Sequence, residues 1–297
     1  MVADLSPLGV WTFALDQQPA TRAAELAADL EEMGWGAIWV PEAVGRDPFV
    51  NATLLLSATQ RMVVGTGIAS IYARDAMAMA ACWNSVTEAF PDRFLLGLGV
   101  SHRPSVEGMR GHEYGPPVST MAEYLDRIDA SVYFAALPST PPRRVLAALG
   151  PRMLGLARDR TDGAHPYLVT PEHTASAREI LGPDRLLAPE QMVVLETDPT
   201  RAREIARGTL AMYLPGLPNY ANNVRRLGFT DEDLTAPLSD RLVDALVAWG
   251  DAESIAARVR AHHDAGADHV AIQVLPFTDI EVVMRDHRTL ADALGLT

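Results

Sequence analysis

Residues 62–102 read MVVGTGIASIYARDAMAMAACWNSVTEAFPDRFLLGLGVSH. Two short apolar runs, Met62–Val64 and Phe94–Leu98, end in glycine-rich turns, and the stretch Asp75–Ala89 between them reads as a helix. A strand, a crossover helix and a second strand running the same way form a parallel unit. Gly65, Gly67, Gly97 and Gly99 fall where the strands end, leaving the backbone room for a flat ligand or a phosphate. Ligands of α/β proteins gather at that end of parallel strands.

The same rhythm extends outward from this unit. Strand signals recur at Leu8–Phe13, Ala37–Val40, Arg144–Ala148, Ala164–Leu168, Gln191–Glu196 and His269–Leu275, making eight with the two above. Helical patterns lie between them at 21–33, 50–59, 121–134, 151–158, 171–181, 199–210 and 251–265, and 280–294 closes the series. Thr21, Asp75 and Asp251 suit N-caps, and Pro151, Pro171 and Pro199 suit first helical turns. Eight β/α repeats without a break in composition predict one (β/α)8 barrel domain spanning 1–297. The long segment 211–249 interrupts the rhythm between strands seven and eight, and is expected to form short helices over the barrel mouth as a lid.

Composition narrows the function classes. Of 297 residues, 48% are hydrophobic and 21% charged, which supports a large core. The formal charge of −13 argues against nucleic acid and anionic membrane surfaces as partners. All 25 basic side chains are arginine, which excludes a P-loop lysine, a Schiff-base lysine and pyridoxal phosphate chemistry. The single cysteine, Cys82, has no partner for an internal disulfide and reads as a packed thiol rather than a nucleophile. Without a signal peptide or an apolar run of membrane-spanning length, a soluble cytoplasmic protein is expected. The histidines have no metal-ligand spacing, so no bound metal is expected.

Five segments in register, GAIWVPEAVGRDPF (36–49), GTGIASIYARDAMAMA (65–80), DRFLLGLGVSH (92–102), LGPRMLGLARDRTDG (149–163) and GADHVAIQVLP (266–276), resemble the bacterial luciferase-like flavin and deazaflavin oxidoreductases. The closest pattern is the branch that uses coenzyme F420. The resemblance implies a cofactor lying across the C-terminal mouth of the barrel. It implies a bulge after strand three, with a non-proline cis bond at Gly67–Ile68 and Ala69 following, that backs the tricyclic ring. The turn Gly99-Val100-Ser101-His102 is implied to run beside the ring, with His102 where some relatives carry a proton-donating carboxylate.

Gly150, Pro151, Arg152 and Met153 open the helix after strand five. Its free N–H groups and the guanidinium suit the cofactor phosphate. Gly155 stands where some relatives have a lysine. Many relatives also carry an acid followed by histidine after strand two; here Glu42 keeps the acid, but Ala43 transfers no proton. Catalysis is therefore expected to rest on His102 and Glu42, or on a lid residue such as Tyr213 or Tyr220, or on hydride transfer alone. Glu42 has the alternative of holding an arginine such as Arg46. Trp11, Ile71, Tyr72 and Met109 are expected to give an apolar mouth, with Trp11, Tyr72 and Tyr213 as substrate-binding candidates. Arg74 and Tyr72 are further candidates for cofactor contact or for capping the helix at Asp75.

The expected function is F420-dependent hydride transfer to or from a small organic substrate, an activated C=C, a C=O or an alcohol. An FMN-dependent luciferase-like monooxygenase and a non-catalytic flavin-binding barrel are the alternatives. Homodimers are common among such proteins, and a homodimer is expected by analogy.

Overall fold

A computed structural model describes residues 5–214 and 216–296. Eight parallel strands surround one axis: β1 (Leu8–Trp11), β2 (Ala37–Val40), β3 (Val63–Thr66), β4 (Phe94–Gly99), β5 (Arg143–Leu146), β6 (Gly163–Ala164), β7 (Glu190–Val194) and β8 (Val270–Val274). Strands β1 to β6 pair in sequence, and β8 lies between β7 and β1. Closure runs through the segment ahead of β7. Leu186–Leu187 pairs with β6, and Glu190 N–H donates to the Pro166 carbonyl at 2.9 Å. Ala271 N–H donates to the Pro189 carbonyl, also at 2.9 Å, so one bent segment joins β6 to β8. The (β/α)8 barrel read from the repeats is the observed fold.

Local chemistry sets the helix boundaries. Asp75 and Asp251 cap their helices by accepting from Ala78 N–H and Ser254 N–H, each at 2.9 Å. Thr21 does not cap; its helix starts at Ala20 behind Pro19. The second helix starts at Pro48 rather than Val50, because Asp47 accepts from both Phe49 and Val50 N–H. The helix expected at 121–134 spans Pro117–Asp129 instead. Pro117 fits its first turn, and its apolar stripe ends at Ile128, leaving Phe134 97% exposed.

The insertion between β7 and β8 contains the helices Pro218–Arg226, Asp231–Leu234 and Asp240–Leu246. It also contains a strand absent from the sequence reading, Val247–Trp249, which pairs with Met192–Val194 of β7. β6 is only two residues long and leaves that upper edge of β7 bare, so Val247–Trp249 covers it.

Inside the barrel, Trp39 lies flat on His165, with ring centroids 4.0 Å apart and planes 4° apart. Its Nε1 donates to His269 Nε2 at 2.9 Å. The four glycines of the quoted stretch make room for protein rather than directly for a ligand. A Cβ on Gly65 would stand 2.6 Å from the Trp39 ring, and one on Gly97 or Gly99 would overlap the Thr66 carbonyl or the Ile68 side chain. Among the described residues no helix is long and apolar enough to cross a membrane, and no cluster of three or more His, Cys, Asp or Glu is placed to hold a metal.

Candidate active site

The bulge after β3 is built by short-range hydrogen bonds. Thr66 Oγ1 donates to the Gly97 carbonyl at 2.7 Å and accepts from Gly97 N–H at 2.8 Å, which locks β3 to β4. The Gly67–Ile68 bond is cis. Ala69–Ser70 then resumes pairing, against Leu98–Gly99. Glu42 fixes this resumed strand: its Oε2 accepts from Ser70 N–H at 2.7 Å, and both its oxygens meet the Arg74 guanidinium, at 3.0 and 2.6 Å. Arg46, the partner considered from sequence, goes elsewhere, to Asn51 Oδ1 and the Gln18 carbonyl.

After β4 the chain turns sharply, with Ser101 at φ 52°, into a π-helical turn over Pro104–Met109. This places His102 at the mouth, half-buried, its ring centroid 5.4 Å from that of Tyr220. Burial holds the His102 imidazolium below its ordinary pKa of 6.5, against a smaller opposing effect of a hydrogen bond with Asn219. The side chain is therefore mostly neutral at pH 7.

Two cavities adjoin along Ile68, Ser101, His102, Ala147, Tyr167 and Tyr220. The first, about 460 Å³, lies over the barrel axis and is walled by Trp11, Phe13, Glu42, Gly67, Met109 and Tyr213 among others. Trp11 and Phe13 meet edge to face, with centroids 4.8 Å apart. The second, about 410 Å³, runs between the β4 turn and the helix Pro151–Arg160. Its far end carries Arg152 and, from the insertion, Arg226. Gly150 brings no capping side chain to that helix, and His173 Nε2 donates to the Leu149 carbonyl at 2.9 Å to hold the turn. A bare helix N-terminus beside two guanidiniums concentrates positive charge of the kind that suits an anion.

The luciferase-like monooxygenase family model matches residues 5–269. The chain belongs to this family. Similar proteins include a Mycobacterium tuberculosis protein assigned to the coenzyme F420-dependent oxidoreductases, 25% identical over 89% of this chain and 93% of its own length. Among solved structures, an F420-dependent secondary alcohol dehydrogenase in complex with an F420-acetone adduct superposes with a TM-score of 0.77, at 14% identity over 98% of this chain and 99% of that one. The coenzyme F420-dependent tetrahydromethanopterin reductase from Methanopyrus kandleri gives 0.74, at 16% identity over 99% and 97%.

In this luciferase-like protein most of the residues singled out from sequence come together at the mouth. Trp11, Glu42, Gly67 and Tyr213 line the first cavity, Gly99, Val100, Gly150, Pro151, Arg152 and Met153 the second, and Ile68, Ser101 and His102 both. Ala69 lines neither, being fully buried in the resumed strand. Tyr72 and Ile71 are corrections to the expected mouth: they border an outer groove with Arg74 and Tyr124. Tyr72 accepts there from Gly115 N–H at 3.0 Å. The chain has passed the strand end at Ser70, so the next residues turn away from the axis.

The sequence reading missed Arg226, Asn219 and Asn222, which arrive from the insertion and carry no local signal. It also missed His165 and Tyr167. Their alternation in HPY (165–167) could have marked both as inward-facing.

Proposed function

We propose that this luciferase-like protein is an F420-dependent oxidoreductase that moves a hydride between the deazaflavin and a small, partly apolar ketone, alcohol or activated alkene. The observation that carries the reading is the two-part mouth: an aromatic chamber over the axis that opens into a slot ending at the helix N-terminus of Gly150, with Arg152 and Arg226. A long cofactor with a flat ring at one end and a phosphate at the other fits that layout. The name given to the Mycobacterium tuberculosis relative supports the deazaflavin over FMN. Buried, unpartnered Trp11 Nε1 and His165 Nε2 beside Gly67 add polar capacity to the chamber floor.

When bound, F420 supplies a hydride carried on carbon, and the remaining work falls to the protein. Arg152, Arg226 and the first helical turn would hold the phosphate. Ile68 and Ala147, shared by both cavities, offer apolar surface for the ring. Trp11, Phe13 and Tyr167 exclude water from the reacting face. His102 and Tyr213 bring polar atoms to the substrate. Glu42, with both oxygens engaged, serves to hold the bulge.

The reading is tested by titrating the protein with F420 and with FMN in parallel, followed by fluorescence. Tight binding of F420 with weak binding of FMN is expected. Preference for FMN would overturn the assignment in favour of monooxygenase chemistry, and binding of neither would leave a barrel without this function.

A further inference from the structure

Burial leaves His102 without a surplus proton at neutral pH, and Ala43 offers none. A carbonyl reduced at the mouth still needs one proton for each hydride. Among the described residues, Glu190 is a buried acid with one carboxyl oxygen left unpartnered. Glu190 opens β7, paired in register with the inward-facing Ala271, and it is fully buried. Its Oε2 accepts from Leu168 N–H at 3.1 Å, while Oε1 has no partner. Among the described residues no cation pairs with it. The titratable groups that feel its charge are phenols: Tyr167 from the end of β6, and Tyr213 and Tyr220 from the insertion. β8 offers the neutral amide of Gln273, and His165 beneath Tyr167 is kept neutral by burial.

Ionising a lone carboxyl in such a place costs several kcal/mol. Glu190 is therefore protonated, and burial pushes its pKa up to about 8. With Oε2 taken by an N–H donor, the proton belongs on Oε1. An acid here offers nothing that glutamine would not, except a transferable proton.

Glu190 brackets Tyr167 in the chain: its N–H donates to the Pro166 carbonyl at 2.9 Å, and its Oε2 accepts from Leu168 N–H. The Tyr167 hydroxyl lies 2.9 Å from that of Tyr213 and 2.9 Å from Gln273 Oε1. Gln273 Nε2 is buried and unpartnered, so its amide can present either atom to Tyr167 and does not fix which way Tyr167 donates. Tyr213 lines the same chamber as His102.

We propose that Glu190 is the proton reservoir for the reaction at the mouth, discharging through the Tyr167 and Tyr213 hydroxyls to the substrate oxygen. The proposal rests on the F420 reading given above. In the reducing direction bound F420 would supply the hydride to the carbonyl carbon, and the carbonyl oxygen would take the Tyr213 proton to form the alcohol O–H. Tyr213 recovers a proton from Tyr167, and Tyr167 from Glu190 across a bridging water, since Glu190 Oε1 makes no direct hydrogen bond. Glu190 is left as a carboxylate and, being fully buried, regains its proton from solvent back through the same hydroxyls once the alcohol has left. Oxidation of an alcohol runs the same chain backwards. Burial raises the pKa of all three phenols, so the tyrosines relay the proton without storing charge.

The test compares the full-length protein with its Glu190→Gln and Tyr167→Phe variants. In Glu190→Gln, which keeps an acceptor for Leu168 N–H, F420 affinity and the thermal midpoint should stay at parental values. The rate of reducing a small ketone that the parent accepts should fall roughly 100-fold, within the range of general-acid effects. The parental loss of rate as pH rises through about 8 should vanish in Glu190→Gln. Parental rate and pH profile in that variant would overturn the proposal. Infrared spectra need no cofactor and separate the two readings. A protonated carboxyl band should be present at pH 6 in the parent and in Tyr167→Phe, and absent in Glu190→Gln. If the protein binds no F420, the functional reading falls, and an ionised Glu190 at pH 6 would sink the reservoir independently.

Discussion

The Arg74 guanidinium closes on both oxygens of Glu42, at 2.6 and 3.0 Å, and reaches Asp47 at 2.8 Å. Both members of the first pair are nearly out of water, with side-chain exposures of 12% and 8%. Removing one partner of such a pair strands the other charge. Arg74→Ala should destabilise the fold by about 3 kcal/mol. It should also loosen Ser70, whose N–H depends on Glu42. Denaturant unfolding checks this, and a variant within about 0.5 kcal/mol of the parent, the usual range for surface changes, would contradict the assigned role.

Gly67 has space for nothing larger than hydrogen. A Cβ there would stand 2.6 Å from Trp11 Nε1 and 3.1 Å from His165 Nε2. Gly67→Ala should cost about 1–3 kcal/mol of stability through overpacking. By displacing the chamber floor it should also weaken cofactor binding. Parental affinity in this variant would mean that the ring does not rest on the bulge.

Arg226 comes from the insertion, and its guanidinium lies 3.7 Å from where a Gly150 Cβ would be. If Arg226 and Arg152 share the cofactor phosphate, replacing either with alanine should weaken binding by about 1.5–3 kcal/mol. The loss should shrink as salt is raised, because both side chains are exposed. Titration of each variant at two ionic strengths measures the effect. A loss in Arg152→Ala alone would remove the insertion from the phosphate site.

Acid should weaken this fold. Burial lowers the pKa of His165, His262 and His287 to about 3 and that of His269 to about 4. In the unfolded chain each titrates near 6.5, so their stabilisation is complete above that pH and is lost as pH falls towards about 4 for His269 and about 3 for the others. Each contributes a slope of up to about 1.4 kcal/mol per pH unit in that window. Glu190 acts in the opposite sense, its contribution being full below about 4.5 and lost as pH rises to about 8. His287 has both ring nitrogens unpartnered and lies edge-on to Trp35. Its replacement by leucine should flatten the acid slope of thermal stability, and an unchanged slope would show that His287 is not held neutral.

The strands were legible because most are short apolar runs with glycine or proline close behind, as at Val40-Pro41 and Val274-Leu275-Pro276, and that pattern is local. The boundaries that moved depended on capping and burial. Pro117 rather than Met121 starts its helix because proline fits the first turn, and Val247–Trp249 becomes a strand because β6 is too short to cover β7. Glu42 shows the same limit at the site. Its acid is plain in the sequence, but only the fold shows that Arg74 occupies both its oxygens and that Arg46 is engaged with Asn51.

By itself the sequence determined the eight-fold strand and helix repeat, the all-arginine cation set and the placing of Gly99–His102 and Gly150–Met153 at strand ends. Those follow from periodicity and backbone chemistry within a few residues. The tertiary structure decided that Tyr72 faces an outer groove, that Arg226 reaches the helix of Arg152, and that Glu190 joins the chain on either side of Tyr167. These relationships join residues far apart in the chain. They are set by barrel closure and by how the insertion packs on the mouth, and no local spacing encodes either.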